Sequence, residues 1–266
     1  MPGFVIDGKV EQPSSLRVLS WLDDPSLRLK IGEDGKARDS STWIRGIVLH
    51  TTKGIPGGSD KRPQKILAGF GPSGKAGAVA RYWSRSDKQA GAHLVVDHDG
   101  LIVCCADLEK EVAYHAGPAN SWSVGIEIYQ GADAEMYEGQ LSQVVRLCDF
   151  LTRRFWIQRQ FHWPYRGKPV QRVAEEDSFT GVCGHREVTN NRGLGDPGDA
   201  VFDFLRRAGY EGFDFDLNAD LPVWTARQKN LCLPSAKCDG IPGPTTYKAL
   251  IAAGYPSGMY VPRPGD

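Results

Sequence analysis

Three consecutive apolar residues, Ile47, Val48 and Leu49, lie between Gly46 and His50 with no polar side chain among them. A strand with one wet face alternates apolar and polar positions, whereas a continuous run belongs to a strand covered on both faces. The run therefore predicts a central strand with layers packed on either side, the mark of an α/β fold. It delivers His50 at its end, where the polar Thr51-Thr52-Lys53-Gly54 loop begins. A histidine leaving a buried strand is well placed to be a ligand. It is equally a residue that simply hydrogen-bonds at a strand end.

A second stretch has the same design. Val182 and Cys183 make a short apolar approach to His185, and a loop rich in Gly and Asn then runs to Asp196-Pro197-Gly198. A strand-end histidine followed by a carboxylate at a turn can bring two ligands together from a distance. Neutral imidazole and carboxylate oxygen both suit zinc, which in catalytic sites takes three protein ligands and leaves a fourth position open.

The stretch from Ser123 to Gln130 carries a third feature. Val124, Ile126 and Ile128 alternate with Gly125, Glu127 and Tyr129, so Glu127 faces away from the isoleucines. Burying a carboxylate is costly unless it is paired or neutralised. Glu127 is then either a general base with its pKa tuned by partial desolvation or one half of a structural ion pair with an arginine.

Other segments read as scaffold. Residues 1–44, with Leu16, Val18, Leu19, Trp21 and Leu22 clustered, form an N-terminal arm packed on the main domain. A short helix is expected over 62–70 within a long irregular excursion. Residues 92–108 read as a hairpin around His98-Asp99-Gly100, because Asp-Gly between β-branched runs is a strong turn signal. His98 is expected to be exposed in that turn, His93 structural, and His115, just before Gly117-Pro118, within reach of a ligand. Leu141, Val144, Val145, Cys148, Leu151 and Phe155 repeat at helical spacing, with Arg146, Arg153 and Arg154 outside the stripe. A closing helix over 201–209 ends at Gly209.

An acidic stretch over 211–220 reads as a linker, and residues 221–266 as a small helical unit with too few residues to bury much core alone. Cys104, Cys105, Cys148 and Cys183 are expected in the core, while Cys232 and Cys238 could pair in an oxidising compartment. Lys plus Arg and Asp plus Glu both total 32, which argues against a nucleic-acid binder or an anionic-membrane binder. No run is long enough for a membrane span, and the N-terminal residues show no secretory leader pattern.

Taken together, Ile47 to Thr52, the hairpin from Ala92 to Gly100, Ala113-Tyr114-His115-Ala116-Gly117, Ser123 to Ile128 and Gly184 to Gly198 occur in the order seen in one family. Over residues 45–198 the chain resembles the type 2 zinc-dependent N-acetylmuramoyl-L-alanine amidases, which include amidase-type phage lysozymes and peptidoglycan recognition proteins. The resemblance implies a central mixed sheet flanked by helices. It also implies Zn2+ on His50, His185 and Asp196, with Glu127 as the acid/base residue. Thr51, His115 and Asn120 match positions near the substrate. Many members carry a lysine two residues before the ligand aspartate; here that position is Leu194, and Arg192 is the nearby cation expected to act on the oxyanion.

Trp224, Gln228, Leu231 and the run from Asp239 to Leu250 resemble the small three-helix peptidoglycan-binding domain of wall hydrolases. The expectation is a catalytic domain over 45–210, a linker over 211–220 and a wall-binding unit over 221–266. The chain would act as a monomer on peptidoglycan, in the periplasm or outside the cell, as a phage endolysin, an antibacterial effector or a host remodelling enzyme. Two other readings fit the same residues: a non-catalytic peptidoglycan-recognition protein, and a zinc hydrolase of another muropeptide amide.

Overall fold

The computed structural model describes residues 3–30, 37–52, 64–85, 90–162, 179–189 and 195–213. In chain order its strands are β1 (Phe4–Ile6), β2 (Lys9–Glu11), β3 (Val18–Ser20), β4 (Gly46–Thr51), β5 (Lys65–Leu67) and β6 (Leu94–Val96). They continue with β7 (Ile102–Cys104), β8 (Ser123–Ile128), β9 (Glu135–Tyr137), β10 (Gln160–His162), β11 (Gly181–Gly184) and β12 (Glu211–Phe213). The helices are α1 (Lys75–Arg85), α2 (Glu138–Arg154) and α3 (Asp199–Arg207). Eight strands make one sheet in the order β12-β10-β11-β4-β8-β6-β7-β3. Only the β6–β7 hairpin is antiparallel, so the sheet is mixed, as expected.

β4 lies in the middle, between β11 and β8, and all six of its residues are buried. Its two faces differ in what covers them. Ile47 and Leu49 join Ile126, Ile128, Leu94 and Val182 in the main core, closed over by Leu141, Val144, Leu147, Cys148 and Leu151 of α2 and Val201, Phe202 and Leu205 of α3. Val48 points the other way, into a smaller cluster with Ala116, Ala119, Trp122, Phe179 and Cys183. Further along that second face, Val95, Val103 and Cys105 pack against Ala76 and Ala80 of α1. Between the two clusters lie His50 and Glu127, paired in register across β4 and β8 and therefore on one face.

The helices are fixed to the sheet by buried polar groups. Gln140, fully buried in the first turn of α2, accepts from the Tyr137 amide and donates to the carbonyls of Val96 and Tyr129, at the ends of β6 and β8. α1 has no acidic residue in its own first turn. Asp97, just past β6, caps it instead by accepting from the amides of Gly74, Lys75 and Ala76.

Several expectations change. The N-terminal arm is part of the sheet: β3 is its edge strand, paired with β7, and Phe4 and Ile6 are buried in the main core. Over its described part the helix expected at 62–70 is strand β5, held by pairing with β9 and followed by Gly69 at φ +69°. Pairing with a distant strand overrides a weak local helical preference there. The first three residues of the linker expected over 211–220, Glu211–Phe213, form β12 at the far edge of the sheet; the rest of it lies outside the described residues.

His98 is buried rather than exposed, with its ring packed against those of Tyr129 and Tyr137 at 4.7 and 4.8 Å. Burial holds its pKa below the usual histidine range. A tight turn leaves only its tip in water, and here Tyr129, directly after β8, and Tyr137 of β9 cover the rest.

The hairpin over 92–108, the helix through 141–155 and the closing helix ended by Gly209 (φ +83°) all form. Cys104, Cys105, Cys148 and Cys183 are free and buried. Cys232, Cys238 and the whole unit expected at 221–266 lie outside the described residues.

Candidate metal centre

Every strand that carries a site residue runs in the same direction, so β4, β8 and β11 present their C-terminal ends together. β4 brings His50 and β11 is followed directly by His185. The two imidazoles face each other with Nδ1 to Nδ1 2.9 Å apart. Asp196 arrives from the loop before α3, and its Oδ2 lies 3.3 Å from Nδ1 of His185. One donor atom from each of the three residues falls within 4.8 Å of the others, and all three side chains are buried. Among the described residues this is the one such cluster of three or more histidine, cysteine or carboxylate donors.

Two lone-pair nitrogens and a carboxylate oxygen turned toward a common point suit a divalent cation, and the N, N, O donor set is one zinc accepts.

The carboxylate is oriented by its neighbours. Oδ1 of Asp196 accepts the backbone N–H of Thr51 at 2.9 Å, which leaves Oδ2 turned to the histidines. The Thr51 hydroxyl donates to the carbonyl of Gly195 at 2.8 Å, and the Arg186 amide donates to the Asp196 carbonyl. Arg186 itself is 1% exposed, with its guanidinium donating to Glu187 and Asp199. Glu187 also accepts the Gly184 amide. Burial pushes the Glu187 carboxyl up and the Arg186 cation opposes it. Gly195, Asp196 and Asp199 are thus tied to Thr51 at the end of β4 and to Arg186, directly after His185.

His115 reaches the site from the loop after β7. Its Nδ1 is 3.0 Å from Nε2 of His50, and its Nε2 is 3.3 Å from the Ser123 hydroxyl, which donates to the Ala119 carbonyl. The ring lies over Gly125, where an added Cβ would come within 2.5 Å of it. A mid-strand glycine in β8 is therefore required by close packing, a use consistent with glycine inside strands. Burial, reinforced by the neighbouring His93, His185 and Arg38, drives the pKa of His115 well below the histidine range.

Asn120 turns its side-chain oxygen onto the amides of His115 and Ala116, shaping the turn that presents the imidazole. Behind it, buried Arg38 donates to the carbonyls of Glu109, Glu111, Ser121 and Ser123. Desolvation lowers its pKa to about 10.

The structure brings together His50, His185, Asp196, Glu127, Thr51, His115 and Asn120. Arg192 and Leu194 lie outside the described residues. His93, expected to be structural, is fully buried; its Nδ1 accepts the Gly125 amide and its Nε2–H meets the Glu111 carbonyl. Sequence reasoning gave no role to Ser123, Arg38, Arg186 or Glu187. An arginine next to a glutamate, directly after His185, was the available signal for the last two.

The sequence profile of the family described as N-acetylmuramoyl-L-alanine amidase (Amidase_2) matches residues 40–199. No curated protein matches the chain significantly. Several solved structures are similar, among them the following three. The peptidoglycan recognition protein SD of Drosophila has a TM-score of 0.45 at 13% identity, over 73% of this chain and 96% of that one. A selenomethionine derivative of AmpD has a TM-score of 0.40 at 20% identity, over 67% and 93%. The Staphylococcus aureus hydrolase AmiA, in complex with its ligand, has a TM-score of 0.33 at 14% identity, over 96% and 98%.

Proposed function

The chain belongs to the N-acetylmuramoyl-L-alanine amidase family, and from that premise we propose that it is a zinc-dependent peptidoglycan hydrolase. The bond cut is the amide between the lactyl group of N-acetylmuramic acid and L-alanine of the stem peptide. The observation that carries the reading is the convergence of His50, His185 and Asp196 beside Glu127. These three residues would hold the zinc, which when bound would polarise the scissile carbonyl and lower the pKa of water.

The chain's own residues do the rest. Glu127, half-buried and one strand over from His50, takes the proton from the attacking water as the O–C bond forms. It returns that proton to the departing amine nitrogen as the C–N bond breaks. Thr51 holds the Asp196 carboxylate in one orientation. Arg192 is assigned to the oxyanion in place of the lysine found in many members. Residues 221–266 are assigned as a wall-binding unit joined to the catalytic domain by the segment before them, and the site of action is the cell wall. None of the described helices is long and apolar enough to cross a membrane.

The test combines metal content and turnover. Purified protein is expected to carry one equivalent of zinc and to release free stem peptides and lactyl-ended glycan from digested wall by mass spectrometry. Chelation should abolish the release and added zinc restore it. Glu127→Gln should keep the metal and lose roughly 100-fold or more of the rate. Metal-free protein that binds peptidoglycan without cutting it would overturn the reading in favour of a recognition protein. Cleavage between two amino acids would move the reaction to another amide.

A further inference from the structure

Both ring nitrogens of His115 are committed inside the protein. Nδ1 faces Nε2 of His50 at 3.0 Å and Nε2 faces Ser123 Oγ at 3.3 Å. The order of donors along this chain is fixed by its far end. The Ser123 hydroxyl spends its hydrogen on the Ala119 carbonyl at 2.6 Å, so toward His115 it can only accept. His115 must then carry its hydrogen on Nε2, which leaves Nδ1 as an acceptor. That acceptor selects the Nε2–H tautomer of His50 and leaves the lone pair of His50 on Nδ1, the atom that faces His185 Nδ1 and the Asp196 carboxylate.

We propose that His115 is a positioning residue that holds His50 in its ligating tautomer and ring orientation, with Ser123 and Asn120 holding His115 in turn. The proposal rests on the metal reading above. Metal-ligating histidines usually donate their second N–H to a carboxylate, a carbonyl or water; here a neutral imidazole fills that place. The packing agrees with the hydrogen bonds. The His50 and His115 rings meet edge to face, with centroids 5.1 Å apart, and Gly125 leaves the room that lets the His115 ring lie against β8. Asn120 fixes the backbone on both sides of the His115 Cα through two amide bonds of 3.0 and 2.6 Å. The imidazole is thereby set before any metal or substrate arrives.

The test reads metal affinity and tautomer, not turnover. Zinc competition with a chromophoric chelator is measured for the wild type, His115→Leu and His115→Asn, with thermal melting to confirm folding. The asparagine side-chain oxygen sits near the position of Nδ1 and can accept from His50, whereas leucine cannot. The leucine variant is expected to bind zinc roughly 10–100-fold more weakly, the usual cost of losing such an outer partner. The asparagine variant should recover most of that loss.

The tautomer is read independently on wild-type protein from long-range proton–nitrogen spectra of 15N-labelled histidines. His50 should be protonated on Nε2 in both metal-free and zinc-bound protein, a readout that does not depend on any variant folding. Equal zinc affinity in all three proteins, or His50 protonated on Nδ1 in the metal-free state, overturns the proposal. Failure of the wild type to bind zinc at all would instead overturn the metal reading on which it stands.

Discussion

Asp97→Ala should destabilise the protein far more than a surface carboxylate would, and the size of the loss follows from what its two oxygens hold. Oδ2 accepts from the amides of Gly74, Lys75 and Ala76 at 2.9, 2.8 and 3.1 Å, and Oδ1 accepts from the His98 amide at 2.8 Å. Gly74 and Lys75 are exposed, so water can replace the carboxylate at those two amides. Ala76 and His98 are buried, and water cannot reach them in the same way. Each orphaned buried donor costs about 1–3 kcal/mol. Loss of the cap and of the negative charge at the start of α1 adds about 1 kcal/mol. The alanine variant should therefore lose about 5 kcal/mol, a large share of a typical domain's stability of about 5–15 kcal/mol. Asp97→Asn keeps one acceptor oxygen and should lose about half as much. Urea denaturation followed by tryptophan fluorescence measures both, and amide exchange at Ala76 and His98 locates the damage. A loss under about 1 kcal/mol in the alanine variant, with both amides still protected, would refute the assignment of Asp97 as the cap of α1.

Two further predictions concern the residues around the metal centre. His93 is held neutral in the fold, with its pKa lowered to about 3 by burial and by the Arg38 cation, while an unfolded histidine titrates near 6.5. Below about pH 6.5 the unfolded chain binds the extra proton, so its contribution is complete above that pH and is lost as pH falls toward 3. The slope this adds is about 1.4 kcal/mol per pH unit; His93→Gln should flatten the acid limb of the stability profile by that amount, and an unchanged slope would count against it. Thr51→Val removes the 2.8 Å bond to the Gly195 carbonyl and keeps the backbone N–H on Asp196. It should cost about 1 kcal/mol of stability and weaken zinc binding about fivefold, measured by the same chelator competition; unaltered affinity would mean that this loop needs no such tether.

What was legible in the sequence is what a single strand can carry. The apolar runs before His50 and His185 gave both the buried strands and the ends at which ligands could stand, and alternation through 124–128 set Glu127 on the face opposite the isoleucines. The hairpin signal over 92–108 and the stripe from Leu141 to Phe155 were equally local. What was missed depends on partners far away in the chain. Asp97 caps a helix that precedes it, and Arg38 closes a loop some 70–85 positions later. β3 looked like part of an arm because its pairing with β7 is invisible until Val18 meets Ile102. β5 owes its extended form to β9. His98 occupied a good turn, and nothing beside it in sequence announced the rings of Tyr129 and Tyr137 that cover it.

The same distant contacts decide how the candidate centre relates to folding. His50 meets His115, whose turn is held by Asn120, and Asp196 is held by the amides of Thr51 and Arg186, each next in sequence to one of the two candidate ligand histidines. Each ligand is thus oriented by groups that the sheet itself places. The main core, with α2 and α3, lies on the opposite face of β4 and includes neither His50, His185 nor Asp196. In small zinc domains the metal replaces a core and the apo chain is unfolded; here a large apolar core lies on the face of the sheet away from the three candidate donors. A cation bound there would raise stability by mass action, in proportion to its concentration over its dissociation constant, without creating the fold. Under the proposed function, the buried donors would be arranged for what a bound cation does to a carbonyl and water.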